Sequence, residues 1–128
     1  MSKPKSKEDR ISWFEIPVTD LEKSAALYGK ALGIELKREV LFGVPHAILM
    51  AEGEAVTGTL ISDPKRAPRR GVGTVVYLYT AGGVAPALAR AVQAGAKVVQ
   101  PTTDIAPFGE IALFEDFDGN VVGLHTRK

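Results

Sequence analysis

Few residues in this chain can do acid–base or metal chemistry. There are two histidines, His46 and His125, and no cysteine. That removes thiolate nucleophiles, disulfides, iron–sulfur clusters and sulfur-based zinc sites. What remains is at most a histidine–carboxylate site. Asp116, Asp118 and Asn120 resemble part of a calcium loop. The later Glu of such a loop is missing, and a turn ahead of a strand explains the three better. Lys65, Arg66, Arg69 and Arg70 form a basic cluster that could hold phosphate or carboxylate. Pro64 and Pro68 interrupt it, which favours a solvated connector. Glu15 lies in a β-branched and aromatic run. Alternate residues of a strand share a face, so Trp13, Glu15 and Pro17 look one way and Phe14, Ile16 and Val18 the other. Near the C-terminus Val121, Gly123 and His125 share a face, opposite Val122 and Leu124.

These residues need elements to position them. Residues 11–18 read as a strand. Thr19 and Glu22 have capping-box spacing, with Thr19 as the N-cap of a helix. Leu21, Ala25, Leu27, Tyr28 and Leu32 supply its apolar face, and Gly33 ends it. Segments 35–42, 45–51 and 56–61 are short strand-like runs separated by Gly/Pro or Gly/Glu turns. After a Pro- and Arg-rich connector at 63–71 the order repeats. A strand at 73–79 precedes an Ala-rich helix at 84–94, with Pro86 in its first turn and Gly95 closing it. Strands at 97–100, 110–115 and 120–126 follow, with an Asp118-Gly119 turn before the last. A shift of about 62 residues lays Gly33-Ile34-Glu35-Leu36 on Gly95-Ala96-Lys97-Val98, although identities are few. The expected fold class is α+β: two βαβββ modules, 11–62 and 72–126, joined by 63–71 and preceded by a flexible tail at 1–10. Their curved mixed sheets would face one another around a cleft.

Composition bounds the partners. The chain has 128 residues, 45% apolar and 24% charged, with a formal net charge of +1. These values fit one globular domain and give no reason to expect nucleic acid. No apolar run approaches the roughly 18 residues of a membrane helix. The Lys/Ser-rich start lacks the apolar middle of a signal peptide, so a cytoplasmic location is expected.

The sequence resembles the vicinal oxygen chelate superfamily of glyoxalase I, bleomycin-resistance proteins and extradiol dioxygenases, and most of all its branch "related to lactoylglutathione lyase". The resemblance rests on residues 14–24, from Phe14-Glu15-Ile16-Pro17 to Ser24, and on 28–33. In the second module it rests on 95–99, Phe108-Gly109 and 114–120, the last reading Phe-Glu-Asp-Phe-Asp-Gly-Asn. It implies a homodimer. It also implies one divalent metal, held by side chains from the first and last strand of each module and polarising two vicinal oxygens of a substrate. Residue by residue, that ligand set is not filled. The position seven before Asp20 is Trp13, and its counterpart in the second module is Thr74 or Val75. The position three after Asn120 is Gly123, and Gly58-Thr59-Leu60-Ile61-Ser62 contains no carboxylate or imidazole.

What the family arrangement would leave in the cleft is Glu15 and His125, each two residues beyond a vacated position, about 6–7 Å along its strand. They could form an acid–base pair, with Glu15 orienting the imidazole. They could join His46 in a displaced metal site, or form a plain buried hydrogen bond. Trp13 and Tyr77 face the same way as the vacated positions and would suit stacking on a planar ligand. His46 and Phe108, the latter in a loop at the cleft edge, complete the candidate substrate contacts. Three functional readings stay open. The first is a protein that binds a small organic molecule without cofactor or metal. The second is a lyase or isomerase acting on a small oxygenated metabolite through Glu15 and His125. The third is a metal-dependent lyase or dioxygenase with a relocated site.

Overall fold

The structure, a computed structural model, describes residues 11, 13–53, 55–71 and 73–127. The N-terminal segment 1–10, expected to be a flexible tail, lies outside the described residues. Strand β1 (Trp13–Pro17) leads into helix α1 (Leu21–Leu32). The side chain of Asp20 accepts the Lys23 backbone N–H at 3.0 Å, so Asp20 is the N-cap. This corrects the expectation that Thr19 caps the helix with Glu22. The Thr19 hydroxyl donates instead to Asp118 Oδ1 at 2.6 Å, and Glu22 receives Arg38 from β2. Both side chains find longer-range partners, and the residue one position on takes the cap. Gly33 ends the helix in the left-handed conformation, φ 68°, which a glycine adopts without steric cost.

Strands β2 (Leu36–Leu41) and β3 (Val44–Leu49) form a hairpin closed by Phe42-Gly43. Strand β4 (Thr57–Ile61) then inserts between β3 and β1, parallel to β1, giving the order β1-β4-β3-β2. The second half repeats this plan. Strand β5 (Tyr77–Tyr79), helix α2 (Val84–Gln93), β6 (Lys97–Asp104), β7 (Glu110–Glu115) and β8 (Val121–Thr126) make a sheet of order β5-β8-β7-β6, with β5 and β8 parallel. The α+β class, the two βαβββ modules and the two four-stranded mixed sheets match the sequence reading. Strand β5 is shorter than expected, because residues 73–76 line a cavity beside β1 and pair with β8 only through the Val76 carbonyl. Strand β6 runs further than expected, through Pro101. It is an edge strand with register shifts against β7, where a missing N–H is tolerated.

Register decides which residues meet the helices. Ile16 pairs with Leu60, and Leu60 with Ala47, all three buried on the helix side. Leu78, Leu124, Ala112 and Phe114 do the same in the second sheet. Both sets belong to one continuous core with Tyr28, Ala31, Val84 and Ala91. The other face of each sheet is left to the functional candidates.

Candidate functional site

On the first sheet, pairing of Glu15 with Thr59 and of His46 with Ile61 puts Glu15 and His46 on the face turned away from the helix. They sit two strands apart, roughly 10 Å across the sheet. A cleft of about 550 Å³ opens there. It is lined by the hairpin tip, with Phe42, and by residues 63–66. Residues 64–66 form a single 3-10 turn, started by the Asp63 side chain, which accepts the Lys65 N–H at 3.0 Å. This turn aims Arg66 back over β1. Its Nη1 donates to Glu15 Oε1 at 2.6 Å and its Nε to Asp63 Oδ2 at 3.4 Å. The hydrogen bond to Glu15, then that to Asp63, raises the guanidinium pKa above its ordinary value. The Lys65 N–H holds the Asp63 carboxyl below its ordinary value; burial opposes this and Arg66 adds to it. Nη2 of Arg66 has no partner among the described residues.

His46 is nearly buried, and its Nδ1 lies 2.8 Å from the Val44 carbonyl. A carbonyl only accepts, so Nδ1 carries the proton. In the neutral ring Nε2 is then an acceptor with no partner among the described residues. The cleft therefore offers a fixed donor at Arg66, an open acceptor at His46 and apolar walls from Leu41, Phe42, Val44 and Pro64.

The second sheet's open face carries the aromatic candidates. Tyr77 pairs with Gly123, and Tyr79 with His125. A Cβ at position 123 would collide with the Tyr77 ring, so the glycine lets that ring lie across β8. Tyr77 is 47% exposed and Tyr79 68%. His125 Nε2 donates to the Phe108 carbonyl at 2.7 Å, while the Phe108 ring is exposed. Trp13, on β1 two residues before Glu15, is 44% exposed.

The structure thus unites Glu15 with His46 and leaves His125 on the other sheet. Glu15 and His125 take different partners, Arg66 and the Phe108 carbonyl. Segment 63–71 is largely exposed, as a connector is, yet two of its arginines make defined contacts. Arg66 is tied to Glu15, and Arg70 donates to Glu115 at 3.1 Å and to the Phe117 carbonyl at 3.2 Å. Sequence reasoning admits Arg66 as a phosphate or carboxylate binder and Phe42 as a loop-mouth aromatic, but favours a connector and core packing; both line the cleft. The signals were present: Asp63-Pro64 announces a capped turn, and Phe42-Gly43 is a two-residue hairpin loop.

A family model for the Glyoxalase/Bleomycin resistance protein/Dioxygenase superfamily matches residues 10–124. The chain belongs to this superfamily. No protein of curated function matches it in sequence. Among solved structures, it is similar to a glyoxalase/bleomycin resistance protein from Streptomyces sp. CB03234, with 28% identity and a TM-score of 0.66 over 89% of this chain and 97% of that one. It is also similar to the hypothetical protein SA1046 from S. aureus, with 25% identity and a TM-score of 0.69 over 93% and 95%. TnmS3, an antibiotic binding protein from Streptomyces sp. CB03234, shares the fold at 24% identity, with a TM-score of 0.65 over 97% and 100%.

The metal of the superfamily can be tested against the donors at hand. Among the described residues no group of three or more His, Asp or Glu side chains is placed to hold an ion. Trp13 and Gly123 occupy expected ligand positions. Thr59, the register counterpart of Gly123 in the first sheet, is fully buried with its hydroxyl donated to the Leu60 carbonyl. Among the described residues, the side chains at these positions do not fit the metal.

Proposed function

We propose that this superfamily member binds a small organic molecule on its open sheet faces, without the divalent metal of its relatives. The single domain built from 11–62 and 72–126 serves as a scaffold for that site. The observation that carries this reading is the Tyr77 ring lying across Gly123, at the position where a metal-binding side chain would stand. With Trp13 at another such position, two expected ligand positions are given over to aromatic surface, which suits stacking on a flat molecule. The fold-level likeness to an antibiotic binding protein is compatible with this use of the scaffold. The half-exposed Trp13, Tyr77 and Tyr79 also support a second copy of the chain covering these faces in a homodimer, which sedimentation at increasing concentration would detect. An enzymatic reading through Glu15 and His125 draws no support from their separate partners.

Trp13 is the sole tryptophan and reports on its own face. Titration with anilinonaphthalene sulfonate, a flat aromatic probe, should change Trp13 fluorescence and saturate. Tyr77→Ala should weaken that binding by about tenfold, the loss of one well-placed aromatic contact. Stoichiometric divalent metal in the purified protein, with metal-dependent turnover of the hemithioacetal of methylglyoxal and glutathione, would overturn the proposal.

A further inference from the structure

The residue that points furthest is Phe42. It is the one non-glycine residue with positive φ among the described residues, at φ 53°, and it is followed by Gly43 at φ 75°. Two successive positive φ values make the type I′ turn that closes tight hairpins, and its first position favours Asn, Asp or Gly. Phenylalanine there is strained by its Cβ and gains no packing in return, since its exposure is 105%. Val40 and Leu41 beside it are exposed as well, at 69% and 37%. A strained, fully solvated ring at a turn that Asn would close better needs another reason to be there. The ring stands at the mouth of the cleft that holds Glu15, His46 and Arg66.

Resting on the small-molecule reading above, we infer that Phe42 is a ligand-contacting, specificity-determining residue of this cleft, and that its ligand is a flat aromatic compound bearing a carboxylate or similar acceptor oxygen. Phe42 covers the ring of the ligand from the hairpin side. Arg66, held by Glu15 and Asp63, has no partner for Nη2 among the described residues, and Nη2 donates to the acceptor oxygen. A guanidinium already oriented by two carboxylates loses little freedom on binding. His46 Nε2 provides the complementary acceptor for a hydroxyl on the same ligand.

Calorimetric titration with β-naphthoate tests this, with naphthalene methanol as the probe lacking the carboxylate. Phe42→Asn should weaken β-naphthoate about tenfold, and Phe42→Trp should stay within about threefold of the unchanged protein. Phe42→Asn should also raise Tm by about 3 °C, because Asn relieves the left-handed strain. Arg66→Gln should weaken β-naphthoate about tenfold and naphthalene methanol much less, because the charge-assisted bond to a carboxylate is the stronger one. The inference is overturned if β-naphthoate does not bind at millimolar concentration, if Phe42→Asn binds it as the unchanged protein does, or if Arg66→Gln weakens both probes equally. A lower Tm for Phe42→Asn overturns the strain argument. In any of these cases the broader proposal stands or falls separately, on Tyr77→Ala and anilinonaphthalene sulfonate.

Discussion

Asp116 concentrates more structural consequence than any candidate in the cleft. It is 4% exposed, and its carboxylate accepts four hydrogen bonds. The Tyr28 hydroxyl (2.9 Å) and Asn120 Nδ2 (2.8 Å) reach Oδ2, and the N–H groups of Asp118 and Asn120 (both 2.9 Å) reach Oδ1. Desolvation raises its pKa above the ordinary 3.8, while the hydrogen bonds from Asn120 and Tyr28 pull back. Burial, and then the charge of Asp116, push the Tyr28 hydroxyl well above 10, so it stays a donor. Asp116→Ala would strand a buried hydroxyl and two backbone N–H groups, and should cost about 3 kcal/mol in chemical denaturation. The pH dependence has a definite sign. A carboxyl whose folded pKa is raised holds its proton longer in the folded state. Its contribution is therefore greatest below 3.8 and is lost as pH rises through the higher folded value. Relative to the non-titrating Asp116→Asn variant, the parent should lose stability with rising pH across that window; a relative gain there would refute the assignment. That Asp116, Asp118 and Asn120 make a turn was legible from the Asp118-Gly119 pair ahead of a strand. The Tyr28 partner, 88 residues away, was not, because nothing local in the sequence signals it. The same limit hid Arg66, 51 residues on, as the partner of Glu15.

Elements were legible where their signals were local. The two helices, the order of eight strands and the Gly33 stop follow from periodicity, caps and turns. The N-cap shifted by one residue because Thr19 and Asp20 are both competent, and only the tertiary partner Asp118 decides between them. Two glycines illustrate what burial adds. Gly58 on β4 and Gly123 on β8 each lie beside an aromatic on the neighbouring parallel strand, Phe14 and Tyr77. At Gly58 a Cβ would strike both the Phe14 ring and its backbone carbonyl. At Gly123 the nearest atoms it would strike all belong to the Tyr77 ring, which is half exposed and has solvent to turn into. Gly58→Ala should therefore destabilise by about 2–4 kcal/mol, because backbone must move, and Gly123→Ala by less than about 1 kcal/mol. Equal losses in urea denaturation would contradict this difference between the two faces. Gly123→Ala should still weaken anilinonaphthalene sulfonate, since the displaced ring is part of the proposed platform.

At the scale of the molecule, the two modules share a core and so should not unfold independently. The Tyr28 ring of the first lies 5.9 Å from the Phe114 ring of the second, and the buried apolar residues of both form one cluster. Polar ties close the junction. Asn120 Nδ2 donates to the Pro17 carbonyl at 2.8 Å, Thr19 donates to Asp118, and Arg90 Nε of α2 donates to the carbonyls of Lys30 and Ala31 on α1 at 3.2 Å. A module on its own would expose the apolar surface that its partner covers. Residues of the second module thus support Pro17 at the end of β1, the strand that carries Trp13 and Glu15 in the proposed site. Scanning calorimetry should show one cooperative transition. Asn120→Ala removes the bond to Pro17 and one of the four to Asp116, a loss of about 1–2 kcal/mol, and should lower Tm by about 3–8 °C while keeping a single peak. It should also weaken β-naphthoate less than Phe42→Asn does, because it loosens the support of β1 and touches no ligand. Two resolved transitions in the parent protein would mean that the modules are separate folding units, and the open faces would then lack a fixed relation to one another.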